Sequence, residues 1–151
     1  MKQEEKELLI KDLCGRLPYD VKCQVELNRG EKYSGVMTLT KIKPSDTYAP
    51  FYCTSNTGSL YLEFDDVKPY LFPLSSMTLE QKKELCKVGG YEAREEDCGY
   101  HSETFYYNMV GHENVFYPDA DDIDWLNKNH FDYRGLIEKD LALDATGLNN
   151  Y

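Results

Sequence analysis

The side chains best suited to chemistry gather in the last third of this 151-residue chain. Asp119-Ala120-Asp121-Asp122-Ile123-Asp124 concentrates carboxylates as a calcium loop does. Such a loop needs oxygen ligands at alternate positions and Gly at the sixth, and here Ile123 and Asp124 hold the fifth and sixth. A capped, acidic helix start accounts for the cluster better. Cys98-x-x-His101 with His112 offers three zinc donors, but structural zinc takes four, commonly as two close pairs, and the second pair is missing. Five cysteines and three histidines contain the parts of a nucleophile and its base, yet no spacing brings any two together. There is no Gly-x-Ser-x-Gly elbow and no Gly-rich phosphate loop after a strand. No catalytic residue, metal or cofactor is therefore expected.

The densest polar-aromatic cluster is His130-Phe131-Asp132-Tyr133-Arg134. Tyr and Arg supply much of the binding energy at protein interfaces. In a structural reading, Asp132 stabilises a turn, Arg134 offsets nearby acid and Tyr133 fills the edge of the core. The candidate partner-contact residues are Asp121, Asp122, Asp124, Trp125, His130, Tyr133 and Arg134.

Charge separates the chain into unlike parts. Residues 1–89 carry 13 basic and 13 acidic side chains, whereas residues 90–151 carry 4 and 14, so the net charge of -10 resides entirely in the last third. An acidic surface of this kind repels phosphate backbones and attracts basic partners, or serves only to keep the protein soluble. Direct nucleic-acid binding is not expected. No apolar run approaches the ~20 residues of a membrane span. Met1-Lys2-Gln3-Glu4-Glu5 has neither the basic start nor the apolar core of a secretion signal. The scattered, odd-numbered cysteines fit free thiols, mostly pointing inward, in a reducing cytoplasm.

These residues need a scaffold, and hydropathy patterning predicts an α+β one forming a single domain. Lys2–Cys14 reads as a helix with Leu9, Ile10, Leu13 and Cys14 on one face, ended by Gly15 and Pro18. Val21–Phe72 alternates apolar and polar residues as five short strands. They run Val21–Leu27, Tyr33 to about Ile42 with a bulge after Leu39, Tyr48–Thr54, Leu60–Phe64 and Val67–Phe72. Pro69 argues that the fifth is an edge strand or very short. A helix followed by five bent strands predicts a small curved antiparallel barrel of the SH3-like or Sm-like kind.

Thr78 and Gln81 form a capping box for a helix over Leu79–Lys87, and Tyr91–Ser102 reads as a surface loop. Thr104–Val110 and Asn114–Tyr117 predict an aromatic hairpin around Gly111. Asp119 caps a third helix ending near Asn129, with Ile123 and Leu126 inward and Trp125 either with them or at the partner surface. Leu141, Leu143 and Ala145 alternate as a last extended piece.

Two resemblances add context. Val21-x-Cys23-x-Val25-x-Leu27-x-x-Gly30-x-x-Tyr33-x-Gly35 resembles the first motif of Sm-like proteins, although the Arg-Gly signature those proteins use to hold RNA is absent from Leu60–Phe72. Lys11–Val21, Val67–Thr78 and Asn127–Tyr151 resemble a family of small uncharacterised proteins of gut anaerobes and their phages and mobile elements. Asp140 stands where that family's pattern usually has Gly. The resemblance implies a cytoplasmic, phage-related protein and no particular mechanism.

The function these readings favour is a non-enzymatic protein-interaction module with an acidic, aromatic C-terminal surface. The alternatives are a phage-encoded nucleic-acid mimic that inhibits a host enzyme, and a small hydrolase or cysteine enzyme.

Overall fold

A computed structural model describes residues 1–27, 32–89, 119–149 and 151. Residues 28–31 between the first two expected strands, the loop over 91–102 and the hairpin over 104–117 lie outside these. The chain divides into two compact units, Met1–Leu71 with Arg134–Tyr151, and Phe72–Tyr133. That division does not follow the charge boundary at 89/90.

In the first unit, α1 (Gln3–Arg16) precedes β1 (Lys22–Leu27), β2 (Tyr33–Ile42), β3 (Phe51–Ser55), β4 (Gly58–Leu62) and β5 (Val67–Pro73). The first four strands form an antiparallel meander in the order β4-β3-β2-β1, and β5 returns antiparallel to the far side of β1. A register shift between Leu39 and Lys41 marks the expected bulge. It bends β2, because an extra residue on one strand increases the local twist. Tyr33 folds over Gly35, where an added Cβ would lie 2.9 Å from the Tyr33 hydroxyl.

Several expectations are corrected. The sheet is open, not a closed barrel: seven strands are described, and the β4 end is not paired back onto β5. β5 is neither short nor at an edge. It pairs with β1 on one side, and on the other Tyr70 and Leu71 run parallel to β7 (Leu143–Asp144). Pro69 is accommodated because it sits opposite Cys23, while the second ladder begins only at Tyr70. Phe64 lies in a 3-10 turn (Phe64–Asp66), not in β4. Gly15 does not end the first helix, which runs to Arg16 and tightens into a 3-10 turn over Leu17–Tyr19. Its stop is Asp20, in the left-handed conformation at φ 53°. Cys14 is exposed rather than inward. Asp140 also has a positive φ, 57°, the conformation glycine adopts at least cost.

The core of the first unit joins Leu9 and Leu13 of α1 to Val25, Leu39, Phe51 and Leu71 of the sheet and to Leu136 and Leu141 of the C-terminal segment. Two charged residues are wholly excluded from solvent with them, Asp12 and Arg16. The Arg16 Nε and Nη2 groups donate to the two Asp12 oxygens at 2.6 and 3.0 Å. Arg134 Nε approaches the same carboxylate at 3.3 Å. Asp12 thus ties α1 to the segment that follows Arg134.

The second unit contains α2 (Leu79–Val88), α3 (Ala120–Lys128) and β6 (Phe131–Asp132). Phe72 and Pro73 at the end of β5 pair in parallel with β6. Leu74, Met77, Leu85, Trp125, Leu126 and Phe131 form its core. Thr78 caps α2 as expected: Gln81 N–H donates to the Thr78 hydroxyl at 3.2 Å, and Thr78 N–H to the Gln81 side chain at 2.8 Å.

Removing one partner of a buried ion pair strands the other, which typically costs about 3–5 kcal/mol. Asp12→Ala is therefore expected to destabilise the protein by that amount in urea denaturation. The triple variant Asp12→Leu/Arg16→Met/Arg134→Met, which leaves no such orphan, is expected to lose markedly less.

Candidate functional site

Helix α3 carries most of the candidate contact residues, and its cap decides which of them face water. The Asp119 carboxylate accepts from Asp121 N–H at 2.9 Å and Asp122 N–H at 3.0 Å, and Asp122 returns the contact by accepting from Asp119 N–H at 3.1 Å. Both carboxylates are thereby spent on the helix start. Among the described residues, no group of three His, Cys, Asp or Glu is placed to hold a metal. Cys98, His101 and His112 lie outside the described residues.

Asp121 and Asp124 are exposed, on the outer side of α3. Trp125, 7% exposed, stacks on Phe131 with centroids 5.8 Å apart and planes 8° from parallel. It belongs to the core of its unit, beside Leu126. Asp122 is fully buried, and one of its oxygens has no hydrogen-bond partner. Burial pushes its carboxyl above the usual range, against the pull of the hydrogen bond from Asp119, and the charges of Asp119 and Asp121 push it further up.

His130 is buried at φ 57°, where its carbonyl accepts from Phe72 N–H at 2.9 Å. Tyr133, half-buried, donates to Asn127 Oδ1 at 3.1 Å. Arg134, in the other unit, is half-buried against Asp12. In the second unit the structure therefore presents Asp121 and Asp124 outward on a helix held by Trp125.

Two features of the first unit were not singled out by residue type. A groove of about 210 Å³ has Phe64, Val67 and Leu141 among its lining, with Glu5, Asp65, Lys139 and the Lys68–Asp140 ion pair around them. Lys68 Nζ and Asp140 Oδ1 are 2.5 Å apart, so the groove's charges are largely met within it. The wet face of the sheet carries Tyr52 and Tyr61 with ring centroids at 4.7 Å, and the Tyr52 hydroxyl donates to Ser59 at 2.8 Å. The pattern of alternation marks these positions as outward, but which of them end up adjacent depends on register.

The Cys23 thiol is pushed well up by its hydrogen-bonding contact with Cys53, by burial and by the charge of its neighbour. A nucleophilic cysteine needs the opposite shift.

No protein-family model, curated protein or solved structure matches this chain.

Two predictions separate anchoring from contact. Trp125→Ala is expected to cost about 3–5 kcal/mol in urea unfolding, as removal of a buried large aromatic does. Asp121→Asn and Asp124→Asn are each expected to stay within about 0.5 kcal/mol, as surface changes do.

A further prediction concerns Asp122. In the fold it holds its proton at pH values where the unfolded chain has already lost it. Its contribution to stability is complete below the ordinary aspartate range and is lost as pH rises through the raised folded value. Asn keeps an oxygen for Asp119 N–H and cannot ionise. Asp122→Asn is thus expected to remove this fall, read as a smaller decline in melting temperature from acid to neutral pH.

Proposed function

We propose that this chain is a non-enzymatic protein-interaction module that presents an acidic surface from its C-terminal third to a basic protein, in the cytoplasm. The observation that carries the reading is the division of labour on α3. Asp119 and Asp122 are consumed by the cap and Trp125 by the core, while Asp121 and Asp124 remain exposed on a helix that cannot easily roll. Charges held on a fixed frame steer an oppositely charged partner and set its register.

The phage-related context rests on the resemblance of Lys11–Val21, Val67–Thr78 and Asn127–Tyr151. An SH3-like or Sm-like ancestry of the first unit is supported by the preceding helix, the strand order β4-β3-β2-β1-β5 and the 3-10 turn between β4 and β5. On that reading the sheet is an opened relative of such barrels.

The test is an affinity pull-down from native-host lysate with wild type and with Asp121→Lys/Asp124→Lys, at low and high salt. The expected result is a basic protein retained by wild type at low salt, released as salt rises, and lost from the double variant. Since charge reversal near a helix start also costs some helix stability, both proteins are compared by thermal melt. Equal retention of every partner by a folded double variant would sink the proposal.

A further inference from the structure

Three sulfur side chains gather on the core face of the sheet. Cys23 on β1 and Cys53 on β3 are free thiols wholly excluded from solvent, and their side chains are in hydrogen-bonding contact. Met37 on β2, 2% exposed, stands directly opposite Cys23. Leu39, two residues further on and on the same face, stands opposite Cys53, so Met37 is one diagonal step from Cys53. Diagonal neighbours on one face lie within reach of a long side chain, and the unbranched thioether of methionine adapts readily to such a gap.

Two thiols in contact invite a disulfide, but the strand order argues against one. β2 runs between β1 and β3, which sets the two backbones two inter-strand steps, about 9–10 Å, apart. A disulfide tolerates a Cα separation of only about 7 Å, so bridging would drag the strands together. An ion seated between the sulfurs spans a wider gap. It adds two metal–sulfur bonds, about 2.3 Å each for zinc, in place of one sulfur–sulfur bond of about 2 Å.

The geometry points to a buried site for Cu(I), held by Cys23 and Cys53 as thiolates with the Met37 thioether as third donor. Donor chemistry selects the ion, because soft sulfur ligands suit Cu(I), zinc and iron–sulfur clusters. Structural zinc and iron–sulfur clusters each take four protein ligands, and among the described residues no third His, Cys, Asp or Glu joins this pair. On binding, each S–H bond breaks, each sulfur forms a bond to copper and two protons leave to solvent, with copper as Cu(I) throughout. The loaded site carries one net negative charge. Arg16 is buried on that side of the core, where the Tyr151 phenol feels both its charge and that of Cys23. Sealed from solvent, the ion acts as a structural pin between β1 and β3, as closed metal sites do.

The test titrates Cu(I), competed by a chelator of known affinity, into the reduced, oxygen-free full chain carrying Cys14→Ser, Cys86→Ala and Cys98→Ser, which leaves the buried pair as its only thiols. Loading is followed to completion, since fully buried thiols are reached only as the sheet opens locally. The expected result is one Cu(I) per chain, with only sulfur in its ligand shell by X-ray absorption. Affinity is expected to rise by up to about a hundredfold per pH unit, because two protons are released. An ion bound to the folded state is also expected to raise the melting temperature. Met37→Leu, which conserves core volume, is expected to weaken binding and to lower the sulfur count from three to two. Adding Cys23→Ala/Cys53→Ala is expected to abolish both the uptake and the thermal shift. Equal uptake after that change would overturn the inference, as would no uptake before it. So would uptake without a rise in melting temperature, which places the ion outside the folded core and does not depend on how well the cysteine-free chain folds.

Discussion

The Asp12 carboxylate is the constraint on which the first unit depends. It lies wholly inside the protein, where an unpaired charge is costly, and two arginines from distant parts of the chain meet it. Arg16 reaches it from one helical turn away, which locks the end of α1. Arg134 reaches it from the start of the C-terminal segment, which brings Leu136, Leu141 and Ala142 into the core and leads on to β7 beside β5. A charge that needs particular partners in particular places specifies an arrangement more narrowly than apolar contacts, which tolerate exchange of similar shapes.

The far end of the same segment is held by a different device. The Tyr151 hydroxyl donates to the Tyr70 carbonyl at 2.7 Å and accepts from Lys22 N–H at 3.2 Å, bridging the backbones of β1 and β5. Burial drives this phenol above its ordinary range, so it stays protonated and able to donate. The segment is thus fixed by an ion pair at one end and a hydroxyl at the other, with apolar side chains between them.

In the second unit, specificity comes from spending polar groups locally. Asp119 and Asp122 satisfy each other's backbone across the first turn of α3, and the stacked pair Trp125–Phe131 sets how the helix is turned. The exposure of Asp121 and Asp124 follows from these two facts together. Acidic side chains near a helix start are also the ones its dipole favours, so placing charge here is inexpensive.

Local order was legible in the residues themselves. Alternation in Val21–Leu27, the Thr78/Gln81 and Asp119/Asp122 boxes, and the break in phase after Leu39 each depend on neighbours within a few positions, and the structure shows them where those patterns place them. What a single sequence does not state is which distant segments meet. The pattern at Pro69 suggested an edge because proline cannot serve a second ladder, yet β7 joins just beyond it, from a segment more than seventy residues later. Asp12 looked like one more wet residue of a charged helix, and only the arrival of Arg134 with the burial of Arg16 makes it part of the core. Trp125 could have faced either way until Phe131 was placed against it. Closure of the sheet, too, depends on how far the strands curl, a sum over many small twists that no short pattern encodes. Sequence alone determined the elements, their caps and the uneven charge. Tertiary structure decided which charges are buried and which strands lie side by side, because each rests on contacts between residues far apart in the chain.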